Sequence, residues 1–131
     1  MSDEAAVPSP ALPHILLVED HAQLRKMIAR SLAATGYRVT TAEDGDKARE
    51  LLLAGTIADL LLSDIRMPGS MNGLQLAAWV REHRPAMAII LQTGFSEIGT
   101  TEFTLLRKPY TPDELFAAIN DKIGSAGTPE K

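Results

Sequence analysis

The chain has 131 residues, of which 45% are hydrophobic and 23% charged, and this composition is typical of one soluble globular domain. It contains no cysteine, so disulfides and thiolate metal sites are excluded. The net charge of -4 argues against nucleic-acid binding, which usually requires a basic surface. No apolar stretch is long enough to cross a membrane. The acidic, proline-containing N-terminus is unlike a secretory signal, so we expect a cytoplasmic protein.

The first half of the chain alternates short apolar runs with segments of helical periodicity. Residues 1–13 are rich in Ala, Pro and Ser, and they predict a flexible leader. The apolar run at 14–18 predicts a buried strand, and apolar residues at helical spacing over 21–34 predict an amphipathic helix. A β-branched run at 37–42 indicates a strand nearer the sheet edge, and a helix over 44–52 follows it.

The second half repeats this alternation around a central strand. The apolar run at 60–62 is bounded by turn signals, which is typical of a strand buried on both faces of a parallel sheet. A helix over 73–83 and a strand over 86–91 come next. The short run at 104–107 predicts a fifth strand. Thr111 begins a final helix, because Thr-Pro-Asp-Glu supplies a cap, a first-turn proline and a capping box.

Strands that alternate with helices predict an α/β fold with a parallel sheet and helices on both faces. We place the folded domain at 14–123 and a flexible tail at 124–131. The carboxyl ends of parallel strands meet at one edge of the sheet, where ligands bind in open sheets of this kind. The polar residues that end or follow the first, third, fourth and fifth strands are Glu19, Asp20, Asp64, Thr93 and Lys108.

Three carboxylates at one edge repel one another unless a cation offsets their charge. At about 4 Å and an effective dielectric near 20, each like pair costs roughly 4 kcal/mol. Hard oxygen ligands beside a turn suit Mg²⁺, which binds through one or two carboxylates and a phosphate. Mg²⁺ beside an accessible aspartate is suited to forming an aspartyl-phosphate. The hydroxyl of Thr93 and the ammonium of Lys108 would then bond the phosphoryl oxygens.

The motif sites stand in one order along the chain: Glu19-Asp20, Asp64 within SDIRMPG, Thr93-Gly94 and Lys108-Pro109. This set resembles the receiver domain of two-component response regulators, and the resemblance covers about residues 14–123. It implies a doubly wound, flavodoxin-like sheet of order 2-1-3-4-5. It also implies a signalling domain that takes a phosphoryl group from a histidine kinase or a histidine phosphotransfer protein and then binds a downstream protein. Such a domain catalyses only its own phosphorylation and dephosphorylation.

The same resemblance assigns a role to each site residue. Asp64 is the phosphoacceptor. Mg²⁺ would bind through side-chain oxygens of Asp20 and Asp64 and through the backbone carbonyl of Arg66, while Glu19 acts mainly through water. The Lys-Pro peptide bond after the fifth strand is expected to be cis. The residues that would contact the phosphoryl group are Thr93 and Lys108.

Two features depart from the usual receiver pattern. The segment between Thr93 and Lys108 is too short for a full helix together with a fifth strand, so we expect the helix there to be missing or about one turn long. In this respect the chain resembles receivers attached to hybrid histidine kinases. Leu105 occupies the position of the usual switch aromatic, and Phe103 would face the same side. We therefore expect residues 94–103 to order on phosphorylation.

Other interpretations of these residues remain open. Asp20 would be an ordinary cap of the first helix, Thr93 a turn-forming hydroxyl, and Lys108 a surface lysine. Two other functions also remain, namely a pseudo-receiver that only binds proteins and an aspartyl-phosphate phosphatase. Phosphatases of the haloacid-dehalogenase type carry two aspartates two residues apart after the first strand, and this pattern is missing here.

Overall fold

The computed structural model describes residues 12–94 and 102–123, which form five strands and four helices. The strands are β1 (His14–Val18), β2 (Arg38–Ala42), β3 (Leu60–Asp64), β4 (Ala88–Thr93) and β5 (Thr104–Arg107). The helices are α1 (Ala22–Thr35), α2 (Gly45–Leu53), α3 (Gly73–His83) and α4 (Pro112–Ile123). Among the described residues, none of the helices has the length and apolarity that a membrane crossing requires.

The five strands form one parallel sheet in the order β2-β1-β3-β4-β5, which confirms the predicted fold class. The central strand is β3, and all five of its residues are buried. Within it, Leu61 pairs with Leu16 of β1 on one side and Ile89 of β4 on the other. The apolar run at 60–62 therefore is the strand covered on both faces that the sequence predicts.

Alternate side chains of the inner strands point to opposite faces of the sheet, and a separate core lies on each face. Leu60 and Leu62 face the side covered by α1 and α4, whereas Leu61 faces α2 and α3. The helix residues buried against the first face are Ile28, Leu32, Leu115 and Ile119. Those buried against the second face are Ala48, Leu52, Leu76 and Val80.

The helix ends follow local sequence signals. Gly36 ends α1 in the left-handed conformation, with φ of 114°. Thr111 and Glu114 form the predicted capping box, because each side chain accepts a hydrogen bond from the backbone N–H of the other residue. At the start of α1, however, the cap is His21, whose Nδ1 accepts from the backbone. The interpretation of Asp20 as the cap is therefore wrong.

One strand boundary differs clearly from the sequence prediction. The fourth strand spans Ala88–Thr93 rather than 86–91, because the N–H of Met87 donates to the carbonyl of Arg84 and closes a turn there. As a result, Thr93 ends the strand instead of following it. The other boundaries agree with the sequence to within one or two residues.

Several expectations concern residues at the limits of the described structure. β4 and β5 are joined by residues 94–103, a connection consistent with a short or missing helix, but 95–101 lie outside the described residues. The expected ordering of this segment therefore stays a prediction. The boundaries of the leader at 1–13 and of the tail at 124–131 also stay predictions, because both segments lie almost wholly outside the described ranges. The Lys108–Pro109 peptide bond is cis, as the resemblance implies.

Candidate functional site

The carboxyl edge of the sheet brings together acidic side chains from distant parts of the chain. Glu19 and Asp20 follow β1, and Asp64 is the last residue of β3. One carboxylate oxygen from each of these three residues lies within 4.8 Å of the others. Glu19 and Asp64 are buried, with exposed fractions of 1% and 6%, whereas Asp20 is exposed. The cluster is thus an acidic site that opens to solvent on the side of Asp20.

Lys108 supplies the positive charge at this edge. Its Nζ lies 2.7 Å from Oδ1 of Asp64 and 3.4 Å from Oε1 of Glu19. The backbone N–H of Lys108 donates to the carbonyl oxygen of Thr93 at 2.8 Å, so the ends of β4 and β5 lie side by side. The lysine therefore does not lie free on the surface, and it holds the two buried carboxylates from one side.

Burial and the close contacts among these groups displace the pKa values of Asp64 and Lys108. Burial is the largest cause for Asp64. It raises the pKa of Asp64 to about 7, and a hydrogen bond with Glu19 adds to this rise, while Lys108 opposes it. Burial disfavours the charge of Lys108 too, but its hydrogen bonds and the negative charges of Asp64 and Glu19 raise its pKa overall. Without a further cation, Asp64 therefore takes up a proton at a much higher pH than a free carboxyl group does.

A cleft of about 340 Å³ gives access to this cluster. Arg66 and Thr93 lie in its wall beside the acidic side chains, and Thr93 is 7% exposed. Gly94 lies at its rim, and no atom of the described residues beyond its chain neighbours comes within 4 Å of the position that a Cβ would occupy. Every site residue expected from the sequence therefore lines one cleft. These residues are Glu19, Asp20, Asp64, Arg66, Thr93 and Lys108.

The segment that follows Asp64, here called the β3–α3 loop (residues 65–72), is fixed in its middle and at its end. At its end, Gly73 packs so closely that a Cβ would lie 2.0 Å from the carbonyl oxygen of Asp64. In its middle, the hydroxyl of Ser70 donates to Oδ1 of Asp46 at 2.6 Å, and the N–H of Ser70 donates to Oδ2 at 3.0 Å. These two hydrogen bonds hold the pKa of Asp46 below its usual value. The loop is thereby attached to the first turn of α2.

The segment after β5, here called the β5–α4 loop (residues 108–111), is fixed by a different contact. The hydroxyl of Tyr110 donates a short hydrogen bond to Oε1 of Gln92, which is fully buried in β4. Nε2 of Gln92 donates in turn to Oε1 of Glu19 at 3.4 Å. Burial, together with the charges of Asp64 and Glu19, raises the pKa of Tyr110, so its hydroxyl stays protonated.

Sequence reasoning missed Gln92, Tyr110, Asp46 and Ser70. The available signal for Gln92 was a lone amide inside an otherwise apolar strand, AIILQT, since buried polar groups require a partner. At the expected switch position, Leu105 packs with Phe103 on a small cluster beside α3. The guanidinium of Arg81 lies 4.8 Å from the centre of the Phe103 ring.

Comparison with known proteins identifies the family. Residues 15–120 match the response regulator receiver domain. This chain belongs to the response regulator receiver domain family. Receiver domains are signalling domains of two-component systems and take phosphoryl groups from histidine kinases. The acidic cluster of this receiver domain is suited to Mg²⁺ and to phosphorylation.

The relatives among curated proteins are much longer than this receiver domain. It is 36% identical over 117 residues to the transcriptional regulatory protein GlrR of Escherichia coli K12, and the match covers 84% of this chain and 26% of GlrR. It is 34% identical over 116 residues to the DNA-binding transcriptional regulator NtrC of the same strain, and the match covers 83% of this chain and 24% of NtrC. The chain thus spans about a quarter of the length of these relatives.

Solved receiver structures match nearly the whole of the described fold. The response regulator TrrA of Thermotoga maritima, solved with Mg²⁺ and BeF, is 29% identical with a TM-score of 0.78, and the match covers 86% of this chain and 100% of TrrA. A response regulator receiver protein from Sinorhizobium medicae is 31% identical, also with a TM-score of 0.78, and the match covers 86% of this chain and 95% of that one. Both comparisons agree with the flavodoxin-like strand order.

Proposed function

We propose that this receiver domain accepts a phosphoryl group onto the carboxylate of Asp64 and signals by binding another protein in the phosphorylated form. The donor would be a phosphohistidine of a histidine kinase or of a histidine phosphotransfer protein. The observation that carries the proposal is the convergence of Asp64 with Lys108 at 2.7 Å and with two further carboxylates at one strand edge. That edge is where ligands bind in open parallel sheets.

The donor set fits a bound magnesium ion. The oxygens of Glu19, Asp20 and Asp64 lie within 4.8 Å of one another, and carboxylate oxygens are ligands that Mg²⁺ prefers. When all three are ionised, Lys108 supplies one positive charge beside three negative charges, and a divalent cation would offset the excess. The backbone carbonyl of Arg66 is the further ligand that we propose. When bound, Mg²⁺ would supply positive charge beside the transferred phosphoryl oxygens.

The chemistry assigned to the chain is an in-line displacement at phosphorus. One carboxylate oxygen of Asp64 attacks, and the new O–P bond forms as the P–N bond to the donor imidazole breaks. The electron pair of that bond stays on the imidazole nitrogen, which takes up a proton. Lys108 would then pair with a phosphoryl oxygen, and the Thr93 hydroxyl would donate to another. Attack by water on phosphorus later breaks the O–P bond to Asp64, which releases inorganic phosphate and returns Asp64 to its carboxylate form.

Intact-mass spectrometry tests this proposal. The chain is incubated with acetyl phosphate and Mg²⁺, and we expect the mass to rise by one phosphoryl group. Asp64→Asn should lose this gain, while the matched control Asp121→Asn, at an exposed position of α4, should keep it. Full labelling of Asp64→Asn would refute the site. A folded wild-type chain that binds Mg²⁺ but never gains the mass would instead favour a pseudo-receiver.

A further inference from the structure

A buried amide lies directly behind the acidic cluster. Gln92 is in β4, next to Thr93, and its exposed fraction is 0%. A polar side chain that is buried without hydrogen-bond partners destabilises the fold. Here both polar ends of the side chain are used, because Nε2 donates to Glu19 and Oε1 accepts from the hydroxyl of Tyr110. The amide therefore connects the β5–α4 loop to the acidic cluster.

The hydrogen bonds among these three groups run in one direction. Nε2 of Gln92 donates to Oε1 of Glu19, since an amide nitrogen is a donor and a carboxylate oxygen is an acceptor. The carbonyl end then faces Tyr110, whose hydroxyl must donate. Since the pKa of Tyr110 is raised, the hydroxyl keeps its proton throughout the ordinary pH range. Tyr110 thus fixes the orientation of the amide, and the amide fixes one oxygen of Glu19.

The other oxygens of Glu19 also accept hydrogen bonds. Its Oε2 accepts from the backbone N–H of His21 at 3.1 Å, and its backbone carbonyl oxygen accepts from the guanidinium of Arg25 at 2.8 Å. At Oε1 the partners are Gln92 and Lys108, both at 3.4 Å. Lys108 is closer to Asp64, at 2.7 Å, and would be drawn to a phosphoryl group. For Gln92, by contrast, the acidic partner given by the described part of the chain is Glu19.

We propose that Gln92, itself held by the Tyr110 hydroxyl, is a positioning residue that fixes the Glu19 carboxylate for binding of a divalent cation. This inference rests on the proposed function, because it assumes that the cation binds at the acidic cluster. A carboxylate fixed in advance loses less conformational freedom when the cation binds. Removal of a residue that orients a metal ligand by a hydrogen bond typically weakens metal affinity by about 10–100-fold.

Isothermal titration with Mg²⁺ tests the inference, at a temperature well below the melting point of every variant. We expect Tyr110→Phe and Gln92→Met each to raise the Kd for Mg²⁺ by about tenfold. Tyr37→Phe is the matched control, because it removes the hydroxyl of the other tyrosine, which is buried in the core that α1 and α4 cover. Its Kd should stay within twofold of the wild-type value.

A double-mutant cycle separates positioning from general loosening of the fold. In a Glu19→Gln background, Tyr110→Phe should leave the Kd unchanged, because the carboxylate through which it acts is gone. An equal tenfold loss in that background would overturn the inference. So would a wild-type Kd in both Tyr110→Phe and Gln92→Met. Failure of the wild-type chain to bind Mg²⁺ would instead overturn the proposed function. If Gln92→Met does not fold, the Tyr110→Phe cycle decides alone.

Discussion

The two loops beside Asp64 are fixed by opposite means. The β3–α3 loop is attached to α2 by the exposed hydrogen bonds between Ser70 and Asp46, and by the close backbone contact at Gly73. The β5–α4 loop is attached by the buried hydrogen bond between Tyr110 and Gln92. Both arrangements hold the chain beside the same carboxylates, but they respond differently to substitution.

The difference lies in what replaces a contact when it is removed. Water can satisfy Asp46 once Ser70 loses its hydroxyl, because Asp46 is partly exposed. Gln92 is fully buried, so the loss of the Tyr110 hydroxyl leaves a buried acceptor without its donor. At Gly73 nothing can substitute, since the space is filled by backbone atoms. Substitutions at these three places therefore should have graded effects.

The largest effect should come from Gly73→Ala. The added Cβ would lie 2.0 Å from the carbonyl oxygen of Asp64 and 2.7 Å from Cα of Ile65, and neither backbone atom can move without shifting β3 or α3. We expect a loss of about 3–5 kcal/mol in the free energy of unfolding, measured by urea denaturation. Gly94→Ala is the control, because within the described part of the chain, its own neighbours aside, nothing lies within 4 Å of the added Cβ. Equal midpoints for the two variants would contradict the close packing at Gly73.

The next effect concerns the carboxylate that both loops surround. The pKa of Asp64 is about 7 in the metal-free fold and 3.8 in a free side chain, so the folded state binds more protons between these values. Stability without Mg²⁺ should therefore rise as the pH falls from 8 to 5, by on the order of 2 kcal/mol from this group. The measurement is urea denaturation in EDTA at both pH values. Asp64→Asn should lack this part of the rise in stability. Equal rises in the wild type and in Asp64→Asn would refute the assignment of the raised pKa to Asp64.

Tyr110→Phe should have an intermediate effect on stability. The ring keeps its packing against the core under α1 and α4, but Oε1 of Gln92 loses its donor inside the protein. We expect a loss of about 1–2 kcal/mol in the free energy of unfolding. In a Gln92→Met background the same change should cost much less, because no acceptor remains. An undiminished loss there would show that the hydrogen bond is not the cause.

Ser70→Ala should give the smallest change. The hydroxyl bond to Asp46 is exposed, and the backbone N–H of Ser70 still reaches the other carboxylate oxygen. The urea midpoint should therefore move less than it does for Tyr110→Phe. A loss as large as that of Tyr110→Phe would remove the contrast between the two loops.

The sequence predicts those parts of the fold that depend on local patterns. The apolar run at 60–62 and the capping box at Thr111 are both set by neighbouring residues, and both are confirmed. The sequence predicts the start of β4 two residues too early, because Ala86 and Met87 are apolar. In the structure a turn closed through Arg84 takes them out of the strand. Apolarity alone does not distinguish a strand from the turn that leads into it.

The acidic cleft was predictable because motif order and strand topology bring its members to one edge. The hydrogen bonds that hold the residues around the cleft in place were not predictable. Gln92 and Glu19 are far apart in the chain, and so are Ser70 and Asp46. Such pairs depend on strand register and helix placement, which periodicity does not supply. A lone amide in an apolar strand signals that some partner exists, but only the packed fold identifies it.

The most direct test of the account is to locate the phosphoryl group on the chain. After labelling with acetyl phosphate and Mg²⁺, borohydride reduction of the acyl phosphate marks the modified carboxylate, and tandem mass spectrometry of the peptides reads its position. We expect the mark at Asp64 alone. A mark at Glu19, at Asp20 or at any other carboxylate, with Asp64 unmodified, would contradict the central claim.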